Sequence, residues 1–135
     1  MLYFNPTKQM ENTPYQEALR YMANAKESLQ KAKKEDGLYN DIKYVKTASG
    51  TAYSGVLVAL DEFLRRKEGA GKFKKPKSIE DYKTRIGKID KKINVLLTYV
   101  YGELHLLGYY HGTNSVEIIT NGMDKAYKII EYIKD

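Results

Sequence analysis

Apolar residues recur along this chain at alternating intervals of three and four, the period of one helix face. The first stripe is Tyr15, Ala18, Met22, Ala25, Leu29 and Ala32, with Leu19 alongside. Thr13-Pro14-Tyr15-Gln16 opens it. Threonine can cap, proline fits the first helical position, and glutamine three residues on completes a capping box. A first helix is predicted over about 14–36, with Gly37 as its C-terminal cap residue. A second is predicted over about 40–67, capped by Asn40 or Asp41. Its seam is Ala48, Ala52, Gly55 and Ala59, flanked by Val45, Val56, Leu57, Leu60 and Leu64. Thr47-Ala-Ser-Gly-Thr51 has poor helix propensity, so such residues in mid-helix imply close tertiary packing.

Ser78-Ile-Glu-Asp81 is another capping signal. It opens a predicted third helix, about 79–110, with Tyr82, Ile86, Ile89, Ile93, Leu96, Val100, Leu104 and Leu107 inward. Asn114 or Ser115 caps a fourth, about 115–134, with Val116, Ile119, Met123, Ala126, Ile130 and Ile133 inward. The stripe crosses Gly122, so one helix is kept there. No segment alternates as a strand would. Four stripes with mostly short links predict an all-α, up-down-up-down antiparallel four-helix bundle. Residues 1–12, lacking a period and containing Pro6, are read as an irregular lead, with Leu2, Tyr3 and Phe4 placed against a single domain spanning 13–135.

Composition changes this picture by exclusion. The chain has 135 residues, enough for one core. It has no cysteine, which removes disulfides, thiol chemistry and cysteine-ligated metals. No signal-like start and no long apolar run occur, so the expectation is a cytoplasmic protein without a membrane partner. Two histidines, His105 and His111, are present, but no Glu-x-x-His pair of a di-metal bundle. No Gly-x-Ser-x-Gly marks a nucleophile; Ser49 and Ser54 beside glycines read as packing residues. Gly69-Ala-Gly-Lys72 lacks the spacing and the following Ser/Thr of a phosphate loop. Catalytic residues, metal and cofactor are therefore all assigned as none, and the chain is read as non-enzymatic.

Two clusters remain. The formal net charge is +6. Between residues 65 and 77 lie Arg65, Arg66, Lys67, Lys72, Lys74, Lys75 and Lys77 against Glu68 alone, so the whole excess sits in one segment. Arg65, Arg66, Lys72, Lys74, Lys75 and Lys77 could hold phosphates and Phe73 could stack on a base; the competing reading is a solvated basic loop paired with nearby acids. The second cluster is aromatic: Tyr53, Tyr99, Tyr101, His105, Tyr109, Tyr110 and His111 form a candidate pocket or dimer face, or else ordinary edge packing.

Tyr21-Met-Ala-Asn-Ala-Lys-Glu-Ser-Leu29 and Ala48-Ser-Gly-Thr-Ala-Tyr-Ser-Gly-Val-Leu-Val-Ala-Leu60 resemble the HEPN superfamily of nucleotide-associated helical bundles. These include the substrate-binding partners of minimal nucleotidyltransferases. More narrowly, the chain is similar to a small bacterial family of uncharacterised helical-bundle proteins. HEPN ribonucleases carry an arginine a few residues before a histidine on a late helix. Here Arg85 lies far upstream of His105, with no arginine between them, and none closely precedes His111. The resemblance therefore implies the fold, and a binding or toxin–antitoxin-like partner role, without the nuclease residues. The leading expectation is an interaction protein that forms a homodimer. The alternative is a nucleotide- or nucleic-acid-binding accessory domain using residues 65–77, with a minimal nucleotidyltransferase as a protein partner.

Overall fold

The computed structural model describes residues 12–135, and it is mostly helical. The expected lead over residues 1–12, all but Asn12, lies outside the described part. Helix α1 spans Pro14–Ala32. Its start is the capping box: Thr13 Oγ1 accepts from the Gln16 N–H at 3.2 Å, and Gln16 Oε1 accepts from the Thr13 N–H at 3.1 Å. Helix α2, Ile42–Glu68, is the longest element, and Asp41 caps it by accepting from the Lys43 N–H. Helices α3 (Ile79–Gly87) and α4 (Lys91–Val100) follow. The α4 rod continues without a break as a π-helical segment, Tyr101–Tyr110. Helix α5 is Val116–Glu131.

The seam of α2 is buried as its spacing implies: Ala48, Ala52 and Ala59 have at most 1% exposure. Gly55 explains why small residues stand there. A Cβ at residue 55 would lie 2.8 Å from Tyr21 Cβ and 3.2 Å from the Ala18 carbonyl oxygen, so α1 meets α2 nearly backbone to backbone. Gly122 does the same for α5, whose backbone lies against Leu104. Ala18, Met22, Val45, Leu60, Ile86, Leu97, Ile119 and Ile130 belong to one core cluster shared by the helices.

Three sequence expectations require correction. The first helix ends at Ala32, four residues early. Lys34–Glu35 (β1) and Leu38–Tyr39 (β2) form a small antiparallel hairpin around Asp36-Gly37. Both turn residues have positive φ, 53° and 79°. That is the requirement of a two-residue hairpin turn, and Asp-Gly meets it well. The predicted third helix is also two helices. Gly87 closes α3, and Asp90 restarts the chain by accepting from the Ile93 N–H at 3.0 Å. Ile89, predicted inward, sits in the break and is 39% exposed.

Finally, the rod buries Ile93, Val100 and Leu104 as expected, but its inward face departs from the α-helical period at its end. The π segment turns less per residue, so Gly108 is buried where Leu107 was expected, and Leu107 is 39% exposed. The wider winding is visible in the bond from the His111 N–H to the Leu106 carbonyl, 2.9 Å across five residues.

Candidate functional site

Half of the candidate cations in the basic segment, Arg65, Arg66 and Lys75, face the protein's own acids. Glu62 is buried, 7% exposed, on the last turns of α2. Arg65 binds its Oε1, and Arg66 Nε donates to its Oε2 at 2.7 Å. Arg66 also reaches the Ile133 carbonyl and Asp135, each at 3.2 Å. The chain's C-terminal end is thereby fastened to α2. Lys75 Nζ lies 4.0 Å from Asp61. Phe73 packs against the core, with the Arg85 guanidinium 5.7 Å over its ring. A side chain so placed anchors the 69–78 loop. Lys72, Lys74 and Lys77 are exposed. An anionic partner would meet fewer uncommitted charges than the sequence offers.

Beside this lies a tie that sequence reasoning missed. The Tyr82 hydroxyl of α3 donates to Asp61 of α2 at 2.6 Å. Arg85 completes the link with two bonds to Glu68, 3.0 and 2.6 Å. Burial raises the Asp61 carboxyl above the ordinary carboxylate value, although the Tyr82 bond and the nearby Lys75 and Arg85 oppose the shift. Burial and the Asp61 partner hold the Tyr82 hydroxyl well above the usual tyrosine range. The signal available in sequence was only an acid and a tyrosine on two predicted helices, and no spacing rule joins them.

The aromatic cluster divides into three. Tyr101, His105 and Tyr109 stack along one side of the π segment. Successive ring centroids are 5.1 and 5.8 Å apart, with interplanar angles of 25° and 18°. A π turn holds slightly more than four residues, so side chains four apart align in a column. Tyr53 of α2 leans on this column, 4.8 Å from His105 and 6.1 Å from Tyr101. Its hydroxyl pKa is pushed up to about 12, chiefly by burial. An open cleft of about 420 Å³ runs between α2 and the column, lined by Thr47, Gly50, Thr51, Tyr53, Ser54, His105 and Tyr109. Tyr99 is elsewhere: Lys125 lies over its ring at 4.9 Å and bonds Glu103 at 3.2 Å. Tyr110 and His111 meet edge to face at the end of the rod.

A further face of the rod is apolar and exposed apart from Lys125 over the Tyr99 ring. Val95 and Tyr99 in α4, and Leu106 and Tyr110 in the π segment, are 56%, 54%, 37% and 69% exposed. Gly102 lies between the two pairs, and a Cβ added to it would have nothing within 4 Å.

Taken together, these features define a helical domain whose distinctive part is a π-wound rod with one aromatic and one apolar face. The chain belongs to the family described as "Domain of unknown function (DUF5618)", whose model matches residues 13–135. It is similar to a solved structure described as a protein of unknown function from Dyadobacter fermentans. The two share 41% identity over 88% of this chain and 91% of that one, with a TM-score of 0.77. No functionally curated protein matches it. Among the described residues, no helix is long and apolar enough to cross a membrane.

Proposed function

We propose that the chain is a non-enzymatic interaction protein that self-associates through the outward face of its rod. The observation that carries this reading is Gly102. Glycine in a helix interior costs about 0.5–1 kcal/mol relative to alanine. At Gly50, Gly55, Gly108 and Gly122 the chain's own neighbours explain the missing side chain; at Gly102 the space above the backbone is empty. A second helix could come close there, between Val95 and Tyr99 on one side and Leu106 and Tyr110 on the other. The exposed parts of these four side chains, with Leu107, amount to roughly 500 Å², taking a tyrosine at about 150–250 Å². A standard interface buries about 800 Å² per partner, so this patch can form its centre and the flanking polar residues its rim.

We also read the four long elements as a HEPN-like up-down-up-down bundle, with α3 as an added segment. Support comes from contacts that run in opposite directions: Ala32 with Asp41 and Tyr21 with Gly55 for α1 and α2, Ser49 with Gly108 and Tyr53 with Tyr101 for α2 and the rod, Leu104 with Gly122 and Tyr99 with Lys125 for the rod and α5.

The test is light scattering on wild type and on Leu106→Glu with Gly102→Leu. Wild type is expected as a dimer, and the double variant as a folded monomer with unchanged helical circular dichroism. A wild type that stays monomeric at high concentration, or a variant that stays dimeric, overturns the reading.

A further inference from the structure

The cleft between α2 and the aromatic column has two unlike walls. One wall is ring faces, His105 and Tyr109, backed by Tyr53. The other is a row of hydroxyls on α2, Thr47, Thr51 and Ser54, spaced by four and three and so on one helix face. Thr47 Oγ1 donates to the Lys43 carbonyl at 3.1 Å, and Ser54 Oγ donates to the Gly50 carbonyl at 3.0 Å. With their protons committed to the helix, these two oxygens present lone pairs. The hydroxyl wall therefore accepts hydrogen bonds.

The floor between the walls is Gly50. A Cβ at residue 50 would lie 2.9 Å from Tyr109 Cδ1, so only glycine lets this ring rest on the α2 backbone. Tyr109 nonetheless remains 50% exposed. Its ring is seated and partly open to solvent. No Asp, Glu, Lys or Arg lines the cleft among the described residues. A charged ligand would find no counter-ion in the lining, and its desolvation would go uncompensated. The volume, about 420 Å³, falls within the range of small-molecule sites.

We infer that this cleft binds an uncharged, flat aromatic ring bearing N–H donors at its edge, stacked on Tyr109 and hydrogen-bonded to the Thr47 and Ser54 oxygens. The winding of the π segment brings His105 and Tyr109 onto the same flank, and π turns recur at functional positions in helices. The site faces α2 and is separate from the outward face centred on Gly102, so it does not depend on self-association.

The probes are indole and adenine, both flat, uncharged and N–H-bearing, with cyclohexanol as the non-planar control. Saturation-transfer NMR with the full chain is expected to show transfer to the ring protons of indole or adenine and none to cyclohexanol. Tyr109→Ala should weaken binding about tenfold, the order expected for one lost stacking partner. Gly50→Ala, which displaces the same ring, should weaken it similarly. Tyr127→Ala, an exposed ring of α5 that lines neither the cleft nor the outward face, should leave it unchanged. Thermal melts establish that each variant is folded. If neither ring shows transfer to folded wild type, the inference is wrong. It is equally wrong if folded Tyr109→Ala binds as well as wild type, or if cyclohexanol competes with the rings.

Discussion

At the scale of single residues, the sharpest conflict is between Ser49 and Gly108. Ser49 is fully buried, and its Oγ has no hydrogen-bond partner. Gly108 rests directly on it: a Cβ there would overlap the Ser49 hydroxyl and come within 3.0 Å of Ile119 Cδ1. Overpacking of this kind costs about 1–3 kcal/mol. Gly108→Ala is therefore expected to lower stability by that order in urea unfolding. Ser49→Ala removes an unsatisfied buried hydroxyl and should stabilise by about 1 kcal/mol. Combining them should make the alanine at 108 cheaper without making it harmless, because the Cβ of residue 49, 2.6 Å away, and Ile119 still crowd it. Strict additivity in this cycle would show that the two residues do not touch. The seam residues Ala52 and Gly55 were legible as close packing from spacing alone. Ser49 was read as one more packing residue, which its burial supports. Its orphaned hydroxyl was not legible, because hydrogen-bond satisfaction depends on where the partner helix passes.

At the scale of elements, α3 is joined to α2 by Tyr82–Asp61 and Arg85–Glu68. The raised Asp61 carboxyl means the native state holds that proton more tightly than the unfolded chain. Stability from this group is therefore full below the ordinary carboxylate value of about 4 and declines as pH rises through the raised one. Asp61→Asn keeps an acceptor for Tyr82 and abolishes the titration. Its melting temperature relative to wild type should rise as pH goes from about 4 to 7. A flat gap would mean that the Tyr82 bond and attraction from Lys75 and Arg85 cancel desolvation, and a gap moving the other way that they outweigh it. Caps were the most readable part of these elements: Thr13 and Ser78 cap where the sequence placed them, and Asp41 and Ser115 are each one of the two residues it offered. Breaks within an apolar stripe were not. Ile86, Ile89 and Ile93 keep the helical interval straight across the α3–α4 turn. The run Tyr101, His105, Tyr109 has intervals of four that suit an α turn or a π turn equally. The hairpin had a signal in Asp36-Gly37, but the same glycine also fits a helix cap. The candidate site was thus half visible. The column could be read from spacing, whereas the pairing with Tyr53 and the departure of Tyr99 toward Lys125 required the packing of α2 and α5.

At the scale of the whole molecule, the hairpin does more than end α1. The Tyr39 N–H donates to the Asn114 carbonyl at 2.8 Å, and the Val116 N–H donates to the Gly37 carbonyl at 3.1 Å. Leu38 and Ser115 form a bridge between them. Two connectors far apart in sequence, one between α1 and α2 and the other between the rod and α5, are thus laced by backbone bonds. Turns ordinarily exchange their amide protons quickly because they open locally. Here the Tyr39 and Val116 protons cannot be released by one turn opening alone. Their exchange in deuterated water should be nearly as slow as that of core helix amides such as Leu60, while Lys72 and Phe73 in the 69–78 loop exchange fast. Rapid exchange at Tyr39 and Val116 would show that the lacing is transient. If it holds, the molecule behaves like a clasped book. Its spine is the hairpin end, where the two connectors are laced.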